Sequence, residues 1–509
     1  MTLGAFTEKP WSQVHPAYES SFLHMRPAPE YASGEVVLAS TYRAVGFGQG
    51  LSPEGGVPGR GRNLQKLLDN SRTTKPDGAI LPVDVWKNVV CGILRSPKQP
   101  NQAAKRFLQI SPVVPDSALY SQSARLSSNS WNPGELVSRV IRFGEADLAG
   151  AQQLWGRLFH ALDVADGDDI WARFVQAEFR AWRGPETRGG WCQPGNLGRD
   201  RAIEAWHRNG TRAIPASRFV KDLDSILGLK DRLTRRQWTS MLETILRIGT
   251  VSHVLWVCRA NTTFFTALWQ VLHGGDAPAL KQMLDSLGPG DGFWRYGQVA
   301  AGAISDLSTN FLKARAGLNL FLYFFANIAD GAGDCLESPR AFVDLLGRVA
   351  AARGSLDIAG FSRHYEELLG AEQRAVSGKR GIASNIREFA RHVLGQRQTA
   401  ETGLDSYDQG YFLRKRGAHA SAPWQVSLGP VAVMGIVHAC THGARTPRNL
   451  NDLCRHFSEY GVDVRAQDVD GSGLGLTLRN LGLVIDSPDA EGGMVIKSPF
   501  ERIQEQGAT

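Results

Sequence analysis

A chain of 509 residues is too long for one ordinary core, and two to four domains are expected. A hydrophobic content of 42% with 21% charged residues is the balance of a globular chain and excludes wholesale disorder. The net charge of +7 divides into +5 over residues 1–130, +5 over 131–424 and −3 over 425–509. A mildly basic body with a mildly acidic tail is compatible with a polyanionic partner without requiring one.

The six cysteines (Cys91, Cys192, Cys258, Cys335, Cys440 and Cys454) are scattered, with no CxxC pair. The first residues, MTLGAFTEKPW, lack a basic stretch followed by an apolar one. No signal peptide is expected, and reduced thiols in a cytoplasmic protein are. The most membrane-like run, residues 318–326 (LNLFLYFFA), is about half the length that spans a bilayer. No membrane partner is expected.

In the first 130 residues, GEVVLASTYRAVGFG (34–48) mixes β-branched residues with glycine and reads as a strand or hairpin arm. GQGLSPEGGVPGRGRN (48–63), punctuated by Gly and Pro, reads as a loop. A helix is expected from Pro82, with Val83, Trp86, Val90 and Ile93 on one stripe. Residues 111–133 again carry loop chemistry, which places a boundary near residue 130 and makes 1–130 a small mixed α/β segment.

From Gly134 the period is helical. LTRRQWTSMLETILRIG has Thr234 as cap, Gln237 to complete a capping box, an apolar face of Trp238, Met241, Leu242, Ile245 and Leu246, and Gly249 as its stop. SPRAFVDLLGRVAAARG repeats the logic with Ser338, Pro339, Phe342, Leu345, Leu346 and Val349. SNIREFARHVLG (384–395) does so again. No internal repeat of fixed period is present, so 131–424 is expected to be an irregular α-helical body.

The last 85 residues read as three helices and a hairpin. The first runs from Pro430 to Gly443. The second takes Thr446 as cap and Pro447 in its first turn, buries Leu450, Leu453 and Phe457, and ends at Gly461. The third starts after Ser472 as cap, with a stripe of Leu474, Leu478 and Leu481, and stops at Gly482. Leu483-Val-Ile-Asp and Met494-Val-Ile-Lys then form two short strands around a turn-rich tip. This order of elements resembles the winged helix-turn-helix domain. The expected fold class is therefore mainly α: an irregular multi-helix body (131–424), a small mixed α/β N-terminal segment (1–130) and a C-terminal winged helix (425–509).

The winged-helix resemblance implies DNA contacts from Arg448, Arg465, Gln467, Arg479, Asn480 and Lys497, since such helices offer Arg, Lys, Asn or Gln to base edges and phosphates. Against them stand Asp463, Asp468 and Asp470, and at the tip Asp486, Asp489 and Glu491. A wing this acidic grips DNA poorly on its own, and protein docking is an equal reading of the isolated domain. The body supplies cations: Arg414, Lys415 and Arg416 stand together beside Tyr411 and Trp424 in a stretch that reads as a connector. Residues 181–240 hold 12 Lys/Arg against 6 acids, with Trp182, Trp191, Trp206 and Trp238 interleaved. The plain alternative for each patch is a solvated cationic face over core tryptophans.

Catalytic motifs do not match. The only Gly-Lys, Gly378-Lys379, is followed by Arg380, so no P-loop is present. Asp77, Asp84 and Lys87 come within one residue of a PD-(D/E)xK nuclease, whereas Pro488-Asp489 with Lys497 has Val495 at the acid position. Ser472 has Asp470 where a GxSxG elbow needs glycine. Asp468, Asp470, Ser472 and Gly473 fit the start of an EF-hand loop, but Arg479 replaces its bidentate Glu. His438, Cys440, His442, Cys454 and His456 cluster, with His438 and His442 one turn apart, yet match no zinc spacing. No catalytic residue, metal or cofactor is assigned.

The organisation also resembles accessory proteins of bacterial anti-phage defence clusters. That resemblance implies a non-catalytic, DNA-associated component that recruits or recognises foreign DNA for a partner ATPase or nuclease. The rivals are a metal-dependent nuclease around Asp77, Asp84 and Lys87, and a pure protein–protein adaptor.

Overall fold

The computed structural model describes residues 3–47, 57–96, 110–121, 132–183, 190–208, 214–288, 292–330, 335–395, 407–417, 419, 421–469, 471–485 and 494–500. The protein is mainly helical, with a few very small sheets. Its axis is the 38-residue helix Arg235–Leu272, which starts at the expected capping box of Thr234 and Gln237 and buries the expected face of Trp238, Met241, Leu242, Ile245 and Leu246. It does not stop at Gly249. That glycine lies mid-helix, where a Cβ would overlap the ring of Phe219 on the helix Pro215–Leu227. Gly249 is a contact point between two helices, not a terminus. An 18-residue window of this helix is long and apolar enough to cross a membrane, but 94% of that window is buried inside the fold.

The helices Pro215–Leu227, Ala300–Phe324 and Pro430–Thr441 pack along this axis. So does Gly34–Gly46, the segment read as a strand. Ser33 caps it by accepting a hydrogen bond from the Val36 amide. Nearly every residue from Gly34 to Gly46 is buried, so no polar face exists to reveal a helical period and the β-branched residues mislead. Gly134, at the start of the helix Pro133–Gly144, lets that helix approach closely, because a Cβ there would overlap the Ser40 carbonyl. One continuous core runs from Phe6 to Ile496.

A second core collects around Trp86, Val90, Leu94, Phe179 and Trp182, from both sides of residue 130. The expected stripe is corrected at its end. After the helix Val83–Asn88 the chain widens into a π turn over Val89–Leu94, which carries the buried stripe to Leu94 and leaves Ile93 exposed. Pro82 is the cap of this helix, not its first residue. The loop expected over 48–63 is corrected in its second half, where the helix Val57–Asp69 begins; residues 48–56 lie outside the described residues. Inside 111–133, Pro115–Ala118 forms a buried helical turn. The helices Pro339–Ala352 and Gly381–Val393 match expectation, the first with Ser338 as cap and Phe342, Leu345, Leu346 and Val349 buried, the second starting three residues early.

Among the described residues, seven short strands complete the fold: β1 Trp294–Arg295, β2 Leu413–Lys415, β3 Trp424–Val426, β4 Arg448–Asn449, β5 Val462–Asp463, β6 Val484–Ile485 and β7 Val495–Ile496. In the tail the order is helix Pro430–Thr441, β4, helix Leu450–Glu459, β5, the short helix Ala466–Val469, helix Gly473–Asn480, then β6 and β7. The sheet order is β4-β7-β6, all antiparallel, with Arg448 opposite Ile496 and Val484 opposite Ile496. Ser472 caps the Gly473 helix by accepting from the Gly475 amide, and Gly482 takes a positive φ of 65° after it. The second helix is corrected at its start. Asn449, not Thr446, caps it through a reciprocal box with Asp452, because residues 448–449 are drawn into the ladder with β7.

Several contacts among the described residues join the tail to the body. The Pro430 helix packs on the long helix and on Pro215–Leu227, burying Ala432, Val433, Ile436 and Val437. Asp222 of the body, without solvent exposure, accepts hydrogen bonds from Tyr460 Oη at 2.9 Å and Arg218 Nε at 2.8 Å, and meets His456 Nε2 at 2.7 Å. β5 pairs in parallel with β1, Trp294 opposite Val462 and Arg295 opposite Asp463.

Candidate nucleic-acid interface

The residues expected to touch nucleic acid divide between the hairpin β2–β3 and the tail, and one connector, residues 292–299, binds both. On the tail side, the Phe293 amide donates to Gly461 O at 2.5 Å and the Tyr296 amide to Asp463 O at 2.9 Å. On the hairpin side, the Gly297 amide donates to Val426 O and the Val426 amide to Gln298 O, both at 2.9 Å, and Val299 bridges to Gln425. Gly292 and Gly297 hold positive φ values of 89° and 75°, which glycine adopts without the Cβ penalty, so the connector turns sharply before and after β1. This short run of backbone thus sets the hairpin's position relative to the tail.

Arg414 and Lys415 lie on β2, opposite Gln425 and Trp424, and the Arg416 amide donates to Pro423 O at 2.9 Å. The cluster therefore sits on a paired hairpin and not on an irregular linker. The strand alternates: Leu413 is buried, Arg414 exposed, Lys415 half-buried, and Arg416 exposed beyond it. Among the described residues, none of the three cations has an ion-pair partner. Trp424 is half-exposed beside Lys415, whereas Tyr411 is buried and offers no stacking face.

In the tail, Arg448 on β4 is 3.9 Å from Asp452, and Arg465 is 3.5 Å from Asp463. Arg479 is half-buried on the Gly473 helix, with Asn480 exposed beside it. Gln467 is exposed on the helix Ala466–Val469, and Lys497 is exposed just past β7. Of the opposing acids, Asp470, Asp486, Asp489 and Glu491 lie outside the described residues. Asp463 and Asp468 have a partner that sequence reasoning missed. Arg295 of β1 reaches Asp468 at 2.6 Å and Asp463 at 3.8 Å, and its hydrogen bond to Asp468 raises its pKa above the ordinary arginine value. No local signal marks Arg295, because its partners stand about 170 residues downstream.

At 181–240 the tryptophans follow the plain alternative. Trp182, Trp206 and Trp238 are buried, and Trp191 packs against the core, stacked on Phe159 at 5.1 Å. Five of the described cations there are ion-paired, Arg183 with Asp116, Arg208 with Glu337, Arg218 with Asp222, and Lys230 and Arg235 with Asp168, whereas Arg199, Arg201, Lys221, Arg232 and Arg236 are exposed. These tryptophans fill the interior and present no stacking platform for bases.

Of Asp77, Asp84 and Lys87, the lysine pairs through Nζ with Asp69 at 2.7 Å. The rings of His438 and His442 are 5.3 Å apart, but His438 faces Ser225 O at 3.4 Å and burial pushes its pKa down to about 4. Burial pushes the Cys440 thiol up to about 12 and the Cys454 thiol up to about 11, while His456 is committed to Asp222. Among the described residues, no group of three His, Cys, Asp or Glu side chains is placed to hold a metal ion. The chain matches no protein-family model, and a search of curated proteins finds no relative.

Proposed function

We propose that this protein is a non-catalytic, nucleic-acid-associated component of a larger assembly, in which a winged-helix tail and the β2–β3 hairpin jointly grip duplex DNA. The observation that carries the reading is the hairpin cluster: Arg414 and Arg416 are exposed, no described carboxylate pairs with them, and their hairpin hydrogen-bonds to the connector that also holds the tail. Cations without carboxylate partners are the ones available to displace counterions from phosphate. The tail's order of helix, strand, helix, helix and ribbon, with sheet order β4-β7-β6, supports the winged-helix assignment. The catalytic steps fall to partner subunits, an ATPase or a nuclease, as the resemblance to anti-phage accessory proteins implies.

The test is fluorescence anisotropy with a labelled duplex across a salt series. Reversing Arg414, Lys415 and Arg416 to glutamate weakens binding to all sequences alike and flattens the salt slope by about 0.9 for each phosphate that is no longer neutralised. An unchanged slope removes the hairpin from the interface. One observation favours the adaptor reading: Leu476 on the Gly473 helix and Ile485 on β6 are large apolar side chains left 54% and 55% exposed on the tail. Absence of salt-dependent DNA binding in the wild-type chain decides for the adaptor.

A further inference from the structure

Resting on that reading, we infer that Arg295 is a positioning residue of the DNA interface: it touches no nucleic acid itself but cancels the carboxylates that would repel the phosphate backbone from the tail. Asp463 and Asp468 flank the entry to the tail's last two helices, on the same short stretch as Arg465 and Gln467. Arg465 is 3.5 Å from Asp463, which leaves Asp468 to Arg295 at 2.6 Å. With both cations in place the cluster of four charges is neutral. Without Arg295 it carries an excess negative charge next to Gln467, in the region that would face DNA.

The position of Arg295 is fixed independently of its ion pairs. Its backbone is in the β1–β5 ladder opposite Asp463, and the flanking Phe293 and Tyr296 amides donate to Gly461 and Asp463. The same connector then pairs with β3. One guanidinium therefore sits where the body, the hairpin and the tail are knitted together, and its reach to Asp468 follows from that register. The ion pair is a surface pair, 37% and 39% exposed, so its direct contribution to stability is small. Its electrostatic contribution at a polyanion is larger, because a phosphate backbone responds to every nearby uncompensated charge within about 10 Å.

The experiment measures the affinity of a labelled duplex for the full chain and for R295Q, D468N and the double variant R295Q/D468N. Thermal unfolding of each checks that the fold persists. R295Q is expected to weaken binding about 2- to 10-fold. D468N, which removes one of the two acids beside Arg295, is expected to tighten it. The double variant, with the wild-type net charge, is expected to return within about 2-fold of wild type. A structural role for the ion pair predicts the opposite pattern: D468N weakens binding as R295Q does, and the double variant stays weak. That pattern, or an R295Q affinity equal to wild type, overturns the inference while leaving the hairpin reading intact. A wild-type chain that binds no DNA overturns both.

Discussion

Asp222 and His456 meet at the joint between body and tail, Oδ2 against Nε2 at 2.7 Å, with the carboxylate wholly buried. Arg218 and Tyr460 complete the set of donors around that carboxylate. Asp222→Ala leaves the buried His456 imidazole and Tyr460 hydroxyl without their acceptor and leaves Arg218 only its longer contact with Glu459, 3.5 Å. Removing one partner of such a network costs about 3–5 kcal/mol. Urea unfolding should show a loss of that order. Asp222→Asn, which keeps the size and an acceptor oxygen but loses the charge, should fall between wild type and Asp222→Ala. A loss below about 1 kcal/mol in the alanine variant would mean the network does not hold the tail to the body.

Gly249 faces Phe219 across the contact between the long helix and its neighbour, and two effects oppose each other on substitution. Alanine in a helix interior gains about 1 kcal/mol over glycine. The added Cβ overlaps a buried aromatic ring, and overpacking of that kind costs about 1–3 kcal/mol. Overlap with a rigid ring in a sealed core should win, so Gly249→Ala is expected to be less stable than wild type by about 1–2 kcal/mol. Phe219→Leu in the same chain should recover part of the loss, and a double-mutant cycle of chemical denaturation curves measures that coupling. Independent, additive losses would count against the contact.

These two sites also mark what local sequence conveys. Thr234 with Gln237, Ser338 with Pro339, and Ser472 are readable because a cap forms between residues three apart, and each caps its helix as expected. Gly249 is misread because glycine serves both at helix ends and at helix crossings, and only the distant Phe219 distinguishes them. Residues 34–46 hide their helix for a related reason: burial on all sides erases the contrast between faces. The same holds at the candidate site. The cluster Arg414, Lys415 and Arg416 is visible as a run of charge, but its hairpin depends on residues 424–426. Arg295 is invisible, since its significance lies in carboxylates far along the chain.

His253 lies within the core, its ring 5.3 Å from Phe143 and 5.7 Å from Trp256, and burial, reinforced by Arg139, pushes its pKa down to about 3. In the folded chain it stays neutral, whereas in the unfolded chain it binds a proton below its ordinary value of about 6.5. Stability is therefore full above pH 6.5 and is lost as the pH falls from 6.5 towards 3. The steepest loss from this one group is about 1.4 kcal/mol per pH unit. Burial lowers His24 and His438 to about 4, so they act in the same direction over the upper part of that window. Urea unfolding at pH 7, 6, 5 and 4 should show the decline, and His253→Phe should flatten it by about one proton. Parallel wild-type and variant profiles would show that His253 titrates normally.

On the winged-helix reading, Asn480 and Lys497 have different jobs, and the difference is measurable. Asn480 is exposed beside Arg479 at the end of the Gly473 helix, where an amide side chain is suited to the donor–acceptor edge of adenine. Lys497 is exposed just past β7, carries a point charge, and has no base-reading geometry. Lys497→Ala should weaken every duplex by the same factor and reduce the salt slope by about 0.9. Asn480→Ala should leave the slope alone and compress the spread between the best and worst duplexes by about 1–3 kcal/mol. Competition binding against a pool of random duplexes, run at two salt concentrations, separates these effects. If both variants shift only the slope, the Gly473 helix lies along the phosphates and reads no bases. If neither variant changes anything while the hairpin reversal still does, DNA is held by the body and the tail, with Leu476 and Ile485 outward, is left free to receive a protein.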